Sequence, residues 1–503
     1  MSSKSRKSLR APAVILLLLI ASVGGVYAFQ RLSPASSGTT SSSTTFSPCD
    51  SPLGNLTMLR TQLAPPATFG GVTEFALPAP LREPNAPTVA PDGSVWFAEQ
   101  SVAGLAHFYP DNRTLVEYAW PYGYPAPPSP GGVCGDKTSV WGLALWNGKV
   151  WASDTTGNQL VSLDPSSGKL AATKVPTNGS FPYTLTPGPN NTLWVTELFA
   201  SKIGELSSNG TLREYPLPGG IDATPSQLIF TNSTTGYYAD VGRGLNGGGV
   251  YSFNPNHFSP TLVGGQKLTE PSSLTIGSGA LWVALHGSSS VGSYNFTTKA
   301  WSYYPTTPVP WNTTTLPYFV NADDSSVWVN EHFGNRMARI VPATNSITEY
   351  SEANRSVNGS LIGNALTFAV GGGRAWFAEL TGNVLGYVDA SYTPGFSTSI
   401  AGNSTLAINR GSSASVDLVI HDTTHQGALT LSFADSETLI SRPSNLTFTA
   451  PTNSLSPPAG GDSTIRVTIA ASQSLKPGTY YAILTATDGL TFKSSFLKIV
   501  VPA

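Results

Sequence analysis

The sequence predicts an all-β chain: a seven-bladed β-propeller followed by an immunoglobulin-like β-sandwich, with one N-terminal transmembrane or signal helix ahead of both. Three observations lead there. A tryptophan-headed unit of short strand-like segments recurs along most of the chain. The last unit lacks its final segment, and a spare copy of that segment stands before the first unit. From Tyr392 onward the period stops and plain strand alternation takes over.

The N-terminal element is residues 1–31. Lys4, Arg6, Lys7 and Arg10 precede an uncharged, largely apolar run from Ala11 to Phe29. Nineteen helical residues reach roughly 28 Å, about one hydrocarbon core. The basic flank keeps the N-terminus cytoplasmic and sends the rest outside. An uncleaved signal anchor is favoured because a stalk follows; cleavage after Val26-Tyr27-Ala28, giving a secreted protein, is the alternative. Residues 32–71 are that Ser/Thr-rich stalk and lead-in, with SPASSGTTSSSTTFSP (Ser33–Pro48) too polar to bury a core.

Residues 72–391 carry the repeat. Its best copy is VWVNEHFGNRMARI (Val327–Ile340): a strand, a polar turn and a second strand. Trp96, Trp151, Trp194, Trp282, Trp328 and Trp376 open equivalent stretches, with Tyr238 standing in for the tryptophan of a degenerate fourth copy; the spacings are 55, 43, 44, 44, 46 and 48 residues. A further segment precedes each tryptophan (PTVAPDGS, Pro87–Ser94) and another follows (LREYPLP, Leu212–Pro218; ITEYSEA, Ile347–Ala353), so each unit is four strands, one propeller blade. The seventh unit ends after three strands at Asp389. VTEFALP (Val72–Pro78) is the missing fourth, which closes the ring and leaves no open sheet edge.

Composition sets the chemical frame. Charged residues are 11% and the net charge is −2, so nucleic acid and anionic lipid are not expected partners. No phosphate-cradling glycine loop and no zinc-type Cys/His spacing occurs. The two cysteines, Cys49 and Cys134, are expected to pair in an exported protein. Of twelve Asn-x-Ser/Thr sequons several arise by chance in an Asn/Ser/Thr-rich chain, yet many fall in predicted turns and, with the export signal, they favour an extracellular glycoprotein.

Strand parity locates the site. In a four-stranded blade, the loop after strand two and the loop entering strand one share one end of the ring. The residues three and four beyond each tryptophan gather there: Glu99, Asp154, Glu197, His286, Glu331, His332 and Glu379. The insertions Pro121–Asp136 and Pro305–Thr315 enter the same face, the latter with Trp311; Trp311 and Trp120 lie outside the blade register and are candidates to touch a ligand, as are Glu197 and Asp154. Each acid has a plain alternative reading as a turn-amide acceptor, and each histidine as a solvated turn residue.

The stretches DGSVWFAE (Asp92–Glu99), NNTLWVTELFASKIGEL (Asn190–Leu206) with TLREYPLP (Thr211–Pro218), and VWVNEHFGNRMARI with ITEY (Ile347–Tyr350) resemble the virginiamycin B lyase (streptogramin lyase) family of seven-bladed propellers over residues 72–391. The resemblance implies carbon–oxygen elimination that opens a cyclic ester, with a histidine base and carboxylate-bound Mg²⁺ as cofactor. On this chain those roles fall to His332, with His286 in reserve, and to Glu331 and Glu379 as metal ligands. Glu331 and His332 are neighbours in a strand, whose side chains normally point to opposite faces.

Residues 392–503 alternate through SVDLVIHD (Ser415–Asp422), ALTLSFAD (Ala428–Asp435), STIRVTIAA (Ser463–Ala471), TYYAILTATDG (Thr479–Gly489) and FLKIVV (Phe496–Val501), the spacing of an immunoglobulin-like sandwich. Three functions therefore stand side by side. One is a metal-assisted lyase. The second is a module binding a small-molecule or cell-surface ligand without turnover. The third is a structural member of the cell envelope, anchored in the membrane and meeting other envelope proteins.

Overall fold

The computed structural model describes residues 58–78, 82–100, 104–120, 139–242, 247–308, 314–352, 365–425, 427–435 and 445–503. The N-terminal segment, both cysteines, the insertion Pro121–Asp136 and Trp311 lie outside the described residues. Among the described residues no helix is long and apolar enough to cross a membrane.

Seven antiparallel sheets form the ring, their inner strands being Pro84–Val89, Val140–Trp146, Pro182–Gly188, Pro225–Asn232, Pro271–Gly277, Pro317–Ala322 and Ala365–Gly371. Each inner strand packs beside the next, and the seventh returns to the first. Val72–Ala76 pairs antiparallel with Val384–Asp389, Val72 opposite Val388, and supplies the fourth strand of blade seven. Phe75 from that strand reaches Phe108 of blade one at 4.8 Å and Trp376 of blade seven at 6.5 Å, so closure seals an apolar seam. Two further strands thicken the join: Met58–Gln62 adds to blade one and Ala67–Phe69 to blade seven.

The blade tryptophans are buried. They fill the gaps between sheets, where large flat rings supply much contact area. Trp120, a candidate to touch a ligand from the sequence, is buried as well, in the apolar cluster shared by blades one and two. The fourth blade corrects a second expectation. Counting back from the acid that ends strand two, the tryptophan position is Tyr237, because Asp240 ends that strand as Glu197 and Asp154 end theirs. The doubled tyrosine hid the register.

The C-terminal residues form two sheets over one core. Phe396–Ile400, Ser413–Asp422, Asp462–Ala471 and Leu446–Thr449 make one sheet. Thr491–Val501, Gly478–Thr487 and Leu429–Asp435 belong to the other. Leu418, Ile420, Val467, Ile469, Leu484, Leu497 and Ile499 are buried between them, the inward half of each alternating strand.

This unit is not hung on a linker. Its last strand, Thr491–Val501, pairs with the outer strand of blade six, Ser346–Ser351, with Ile347 opposite Ser494 and Glu349 opposite Phe492. Blade six and the C-terminal sheet are one continuous sheet. Ala434, Ile483 and Phe496 join the apolar cluster of blades five and six around Trp282, and Phe496 meets Tyr304 edge-on at 4.9 Å.

Candidate functional site

One local device, repeated in most blades, builds the mouth of the ring. Five of the seven inner strands begin with proline, at Pro84, Pro182, Pro225, Pro271 and Pro317. Proline suits a first strand residue, where no ladder N–H is needed. The residue before it is held at positive φ in four cases: Glu83 at 51°, Phe181 at 55°, Glu270 at 48° and Leu316 at 49°. Such conformations are costly for side chains of this size and cluster at functional sites. The pairing register then slips immediately after the inner strand begins, between Pro182 and Leu185, Pro271 and Ser273, and Pro317 and Val320. A bulge of this kind re-aims the side chain next to it. In blades two, three and six that side chain is Trp141, Tyr183 or Tyr318.

The carbonyl of the residue before the inner strand accepts the N–H of the residue just after strand two: Leu198 to Phe181 at 3.1 Å, Val241 to Thr224 at 3.0 Å, His286 to Glu270 at 3.1 Å. This bond ties the position after strand two to the mouth. In blades five and six it is occupied by histidine.

His286 and His332 meet across the two blades. Their Nε2 atoms are 3.1 Å apart, and their rings are nearly parallel at 5° with centroids 5.3 Å apart. Tyr318 packs obliquely against both, each pair of centroids 5.5 Å apart. Its hydroxyl lies 2.5 Å from that of Tyr183, and Trp141 closes the wall 5.4 Å from Tyr183 and 6.4 Å from Tyr318. Burial, then Tyr318, pushes the Tyr183 phenol well above its usual range, so it stays protonated. Outward from Tyr183 runs Phe181, 4.6 Å from Phe199, whose ring is 40% exposed and offers apolar surface at the rim. The His286 Nδ1 atom is 3.2 Å from Glu270 Oε2.

The acids go elsewhere. Glu99, Asp154, Glu197, Glu331 and Glu379 have no exposed surface. Asp154 accepts from Gly157 N at 2.9 Å, Gln159 Nε2 at 2.8 Å and Thr156 Oγ1 at 3.1 Å, which is the turn-amide role. In blades one, three and six, the acid instead pairs with the glutamate of strand four beside one cation. Arg82 is 2.8 Å from Glu117 and 3.7 Å from Glu99; Lys202 is 2.7 Å from Glu214, the partner of Glu197; Arg336 is 3.5 Å from Glu349, the partner of Glu331. Burial first, then the neighbouring carboxylate, holds Glu99 and Glu331 protonated, and takes Glu197 up to about 8. Each pair thus shares a proton inside its blade.

The structure therefore brings His286 and His332 together and leaves Glu331, Glu379, Glu197 and Asp154 buried within separate blades. Period-two alternation is the reason: a residue next to one that faces the mouth faces the blade interior. Among the described residues no group of three or more His, Cys, Asp or Glu is arranged to hold a metal ion. The expected carboxylate set for Mg²⁺ does not fit these positions. Tyr183, Tyr318, Trp141 and Glu270 were missed by sequence reasoning. The signal was present as x-Pro-x at the head of the inner strand, in FPY (Phe181–Tyr183), EPS (Glu270–Ser272) and LPY (Leu316–Tyr318).

No family model matches the chain. Over 140 residues, 28% of its length, it is 29% identical to virginiamycin B lyase of Nocardia farcinica, and that match spans 43% of the relative, under half of it. A solved streptogramin B lyase is similar with a TM-score of 0.50 at 23% identity, over 63% of this chain and 96% of the other. Virginiamycin B lyase from Staphylococcus aureus is similar with a TM-score of 0.50 at 20% identity, over 63% and 98%. A catalytically inactive variant of that enzyme, solved with quinupristin, is similar to the same degree at 21% identity.

Proposed function

Starting from a virginiamycin B lyase-like propeller, we propose that the mouth of this ring takes a cyclic ester and opens it by carbon–oxygen elimination. The supporting observation is the imidazole pair, His286 Nε2 to His332 Nε2 at 3.1 Å, set against two tyrosine hydroxyls. His332 takes the proton from the carbon adjacent to the one bearing the ester oxygen. The electron pair left behind forms the carbon–carbon double bond, the C–O bond breaks, and the leaving oxygen departs within a carboxylate. No water is consumed. A neutral imidazole is suited to this transfer near neutral pH. A protonated tyrosine hydroxyl offers a hydrogen bond to negative charge gathering on the substrate carbonyl. Phe181 and Phe199 would receive an apolar side chain of the ring. Among the described residues the Mg²⁺ implied by the resemblance has no matching set of carboxylates at the mouth.

A second reading rests on the aromatic wall of Trp141, Tyr183, Phe181 and Phe199. The same mouth would hold an apolar or cyclic ligand without turning it over. In either case we propose an extracellular site of action, with the N-terminal segment as anchor and the C-terminal sheets as an immunoglobulin-like accessory module. The asparagines of the described sequons, Asn112, Asn178, Asn190, Asn209, Asn232, Asn295, Asn403 and Asn445, are all exposed, as acceptors of glycan must be.

The test is opening of a streptogramin B-type cyclic depsipeptide by wild type, His332→Ala and His286→Ala, with binding followed in parallel. Turnover in wild type that falls at least about 100-fold in His332→Ala is expected, the range for a lost general base. Binding without turnover in wild type would overturn the lyase reading and favour the second. Neither binding nor turnover would overturn both for this ligand class.

A further inference from the structure

We infer that Glu270 is a positioning residue that sets which nitrogens of the imidazole pair carry protons, and so makes Nδ1 of His332 the basic nitrogen of the mouth. The inference rests on the reading of that pair as the working group of the site, but its test needs no substrate.

Glu270 holds His286 twice. Its carbonyl accepts the His286 N–H at 3.1 Å, and its carboxylate oxygen Oε2 lies 3.2 Å from His286 Nδ1. Both residues are 8% exposed. The backbone bond belongs to the blade framework, because Leu198 makes it to Phe181 and Val241 to Thr224. The carboxylate is not part of that framework: the matching positions in blades two, three, four and six are Ser139, Phe181, Thr224 and Leu316, and Glu83, the matching acid of blade one, takes its backbone bond from Gln100 where blade five has a histidine. Gly287 leaves room for it, since a β-carbon there would come within 3.0 Å of Glu270 Oε2. The pair is also aligned for a hydrogen bond in the ring planes. Parallel rings whose centres are 5.3 Å apart, with Nε2 atoms 3.1 Å apart, have those nitrogens on the line between centres.

The proton count follows. A nitrogen–nitrogen hydrogen bond holds one proton, not two or none. A carboxylate beside Nδ1 of His286 requires an N–H there. In the neutral pair His286 then has a bare Nε2, the bridging proton belongs to Nε2 of His332, and the lone pair of His332 is on Nδ1. When His332 gains a proton at Nδ1, its Nε2 proton can pass to His286 Nε2. The positive charge then sits against the Glu270 carboxylate. One proton enters, one moves along the bridge, and none is lost.

The experiment is ¹⁵N NMR of full-length protein labelled at its six histidines, with His286 and His332 assigned from their alanine variants. Wild type is expected to show Nδ1–H for His286 and Nε2–H for His332. Glu270→Leu should disturb both assignments by removing the acceptor. An unchanged pattern in folded Glu270→Leu would overturn the inference. Should that variant not fold, Glu270→Gln decides: it keeps an acceptor oxygen and removes the charge. The groups facing the pair are then the substituted carboxamide at the start of blade five, Tyr318 within blade six, and Tyr183 behind it. Expected are neutral-state tautomers as in wild type, with the imidazolium signals appearing at lower pH. Titration identical to wild type would overturn the inference. Failure of the lyase reading leaves these signals as expected, so the two are separable.

Discussion

Blades three and six are built to one plan and differ at two places. Both carry an acid at the end of strand two, a second glutamate on strand four and a cation at the start of strand three: Glu197, Glu214 and Lys202 in one, Glu331, Glu349 and Arg336 in the other. The first difference is the edge. Blade three ends in solvent, and the Lys202 side chain is 29% exposed. Blade six is capped by the C-terminal strand, so Arg336 is 2% exposed with its guanidinium stacked 3.7 Å above Phe492 and donating to Thr307 O at 3.0 Å. The second difference is the next residue, Leu198 against His332. The acid pair is thus framework, present with or without a histidine at the mouth. On the proposed reading, chemistry enters through a single position one residue further along the chain.

The comparison is broken most severely by removing the cations. Arg336→Ala strands the Glu349 carboxylate in a dry seam and should cost about 3–5 kcal/mol, the usual penalty for unpairing a buried charge. Lys202→Ala acts on a pair that water can reach and should cost about 1 kcal/mol or less. Denaturant melts of the two variants decide this. Equal losses would mean that capping by the C-terminal strand does not dry blade six.

Alkaline pH should loosen both blades. Glu197 is held up at about 8, mainly by burial and then by Glu214, against an unfolded value near 4.5. Folding therefore takes up protons between those values. The stability the neutral acid provides is complete below about 4.5 and is lost as pH rises through about 8. Glu99 and Glu331 are shifted in the same direction by burial and their partner carboxylates. Melting temperature is expected to be higher at pH 5 than at pH 8.5, by several degrees. Glu197→Gln, which mimics the protonated acid, should flatten the slope. A melting temperature that rises from pH 5 to pH 8.5 would contradict the protonated pairs.

Much of this was legible in the chain, and the illegible parts have physical causes. The ring was readable because each blade repeats Trp, acid and turn at one period, and closure was readable because Val72–Pro78 copies ITEY-type strands. Adjacency of His286 and His332 followed from their matching position in consecutive blades. The direction of the acids was less accessible. Glu331 and His332 are one residue apart, and only the bond pattern after strand two tells which of them turns to the mouth. Tyr183 and Tyr318 escaped because a bulge, which no periodic pattern announces, points them inward. The seam was missed for a related reason: Ser346–Ser351 looks like any other outer strand, and nothing local to Thr491–Val501 says which edge it will join.

The smallest expected effect tests the seam itself. Lys493 is placed where blade six meets the C-terminal strand, its ammonium donating to Thr348 Oγ1 at 2.7 Å. Burial, then Arg339, lowers it to about 8. A lysine with a lowered folded value costs stability wherever it must stay charged, and that cost fades as pH rises from about 8 toward its ordinary value. Lys493→Met keeps the length and apolar stem of the side chain and removes the charge. Buried charges replaced by apolar groups of similar volume are often neutral or favourable. The expected change is therefore between zero and about 1 kcal/mol of added stability at pH 7, shrinking above pH 9. A loss of more than about 1 kcal/mol would show that Lys493 works as an anchor of the joined sheets, a partner to Arg336 in holding blade six to its cap. The contrast between a wet edge in blade three and a dry one in blade six would then rest on two cations.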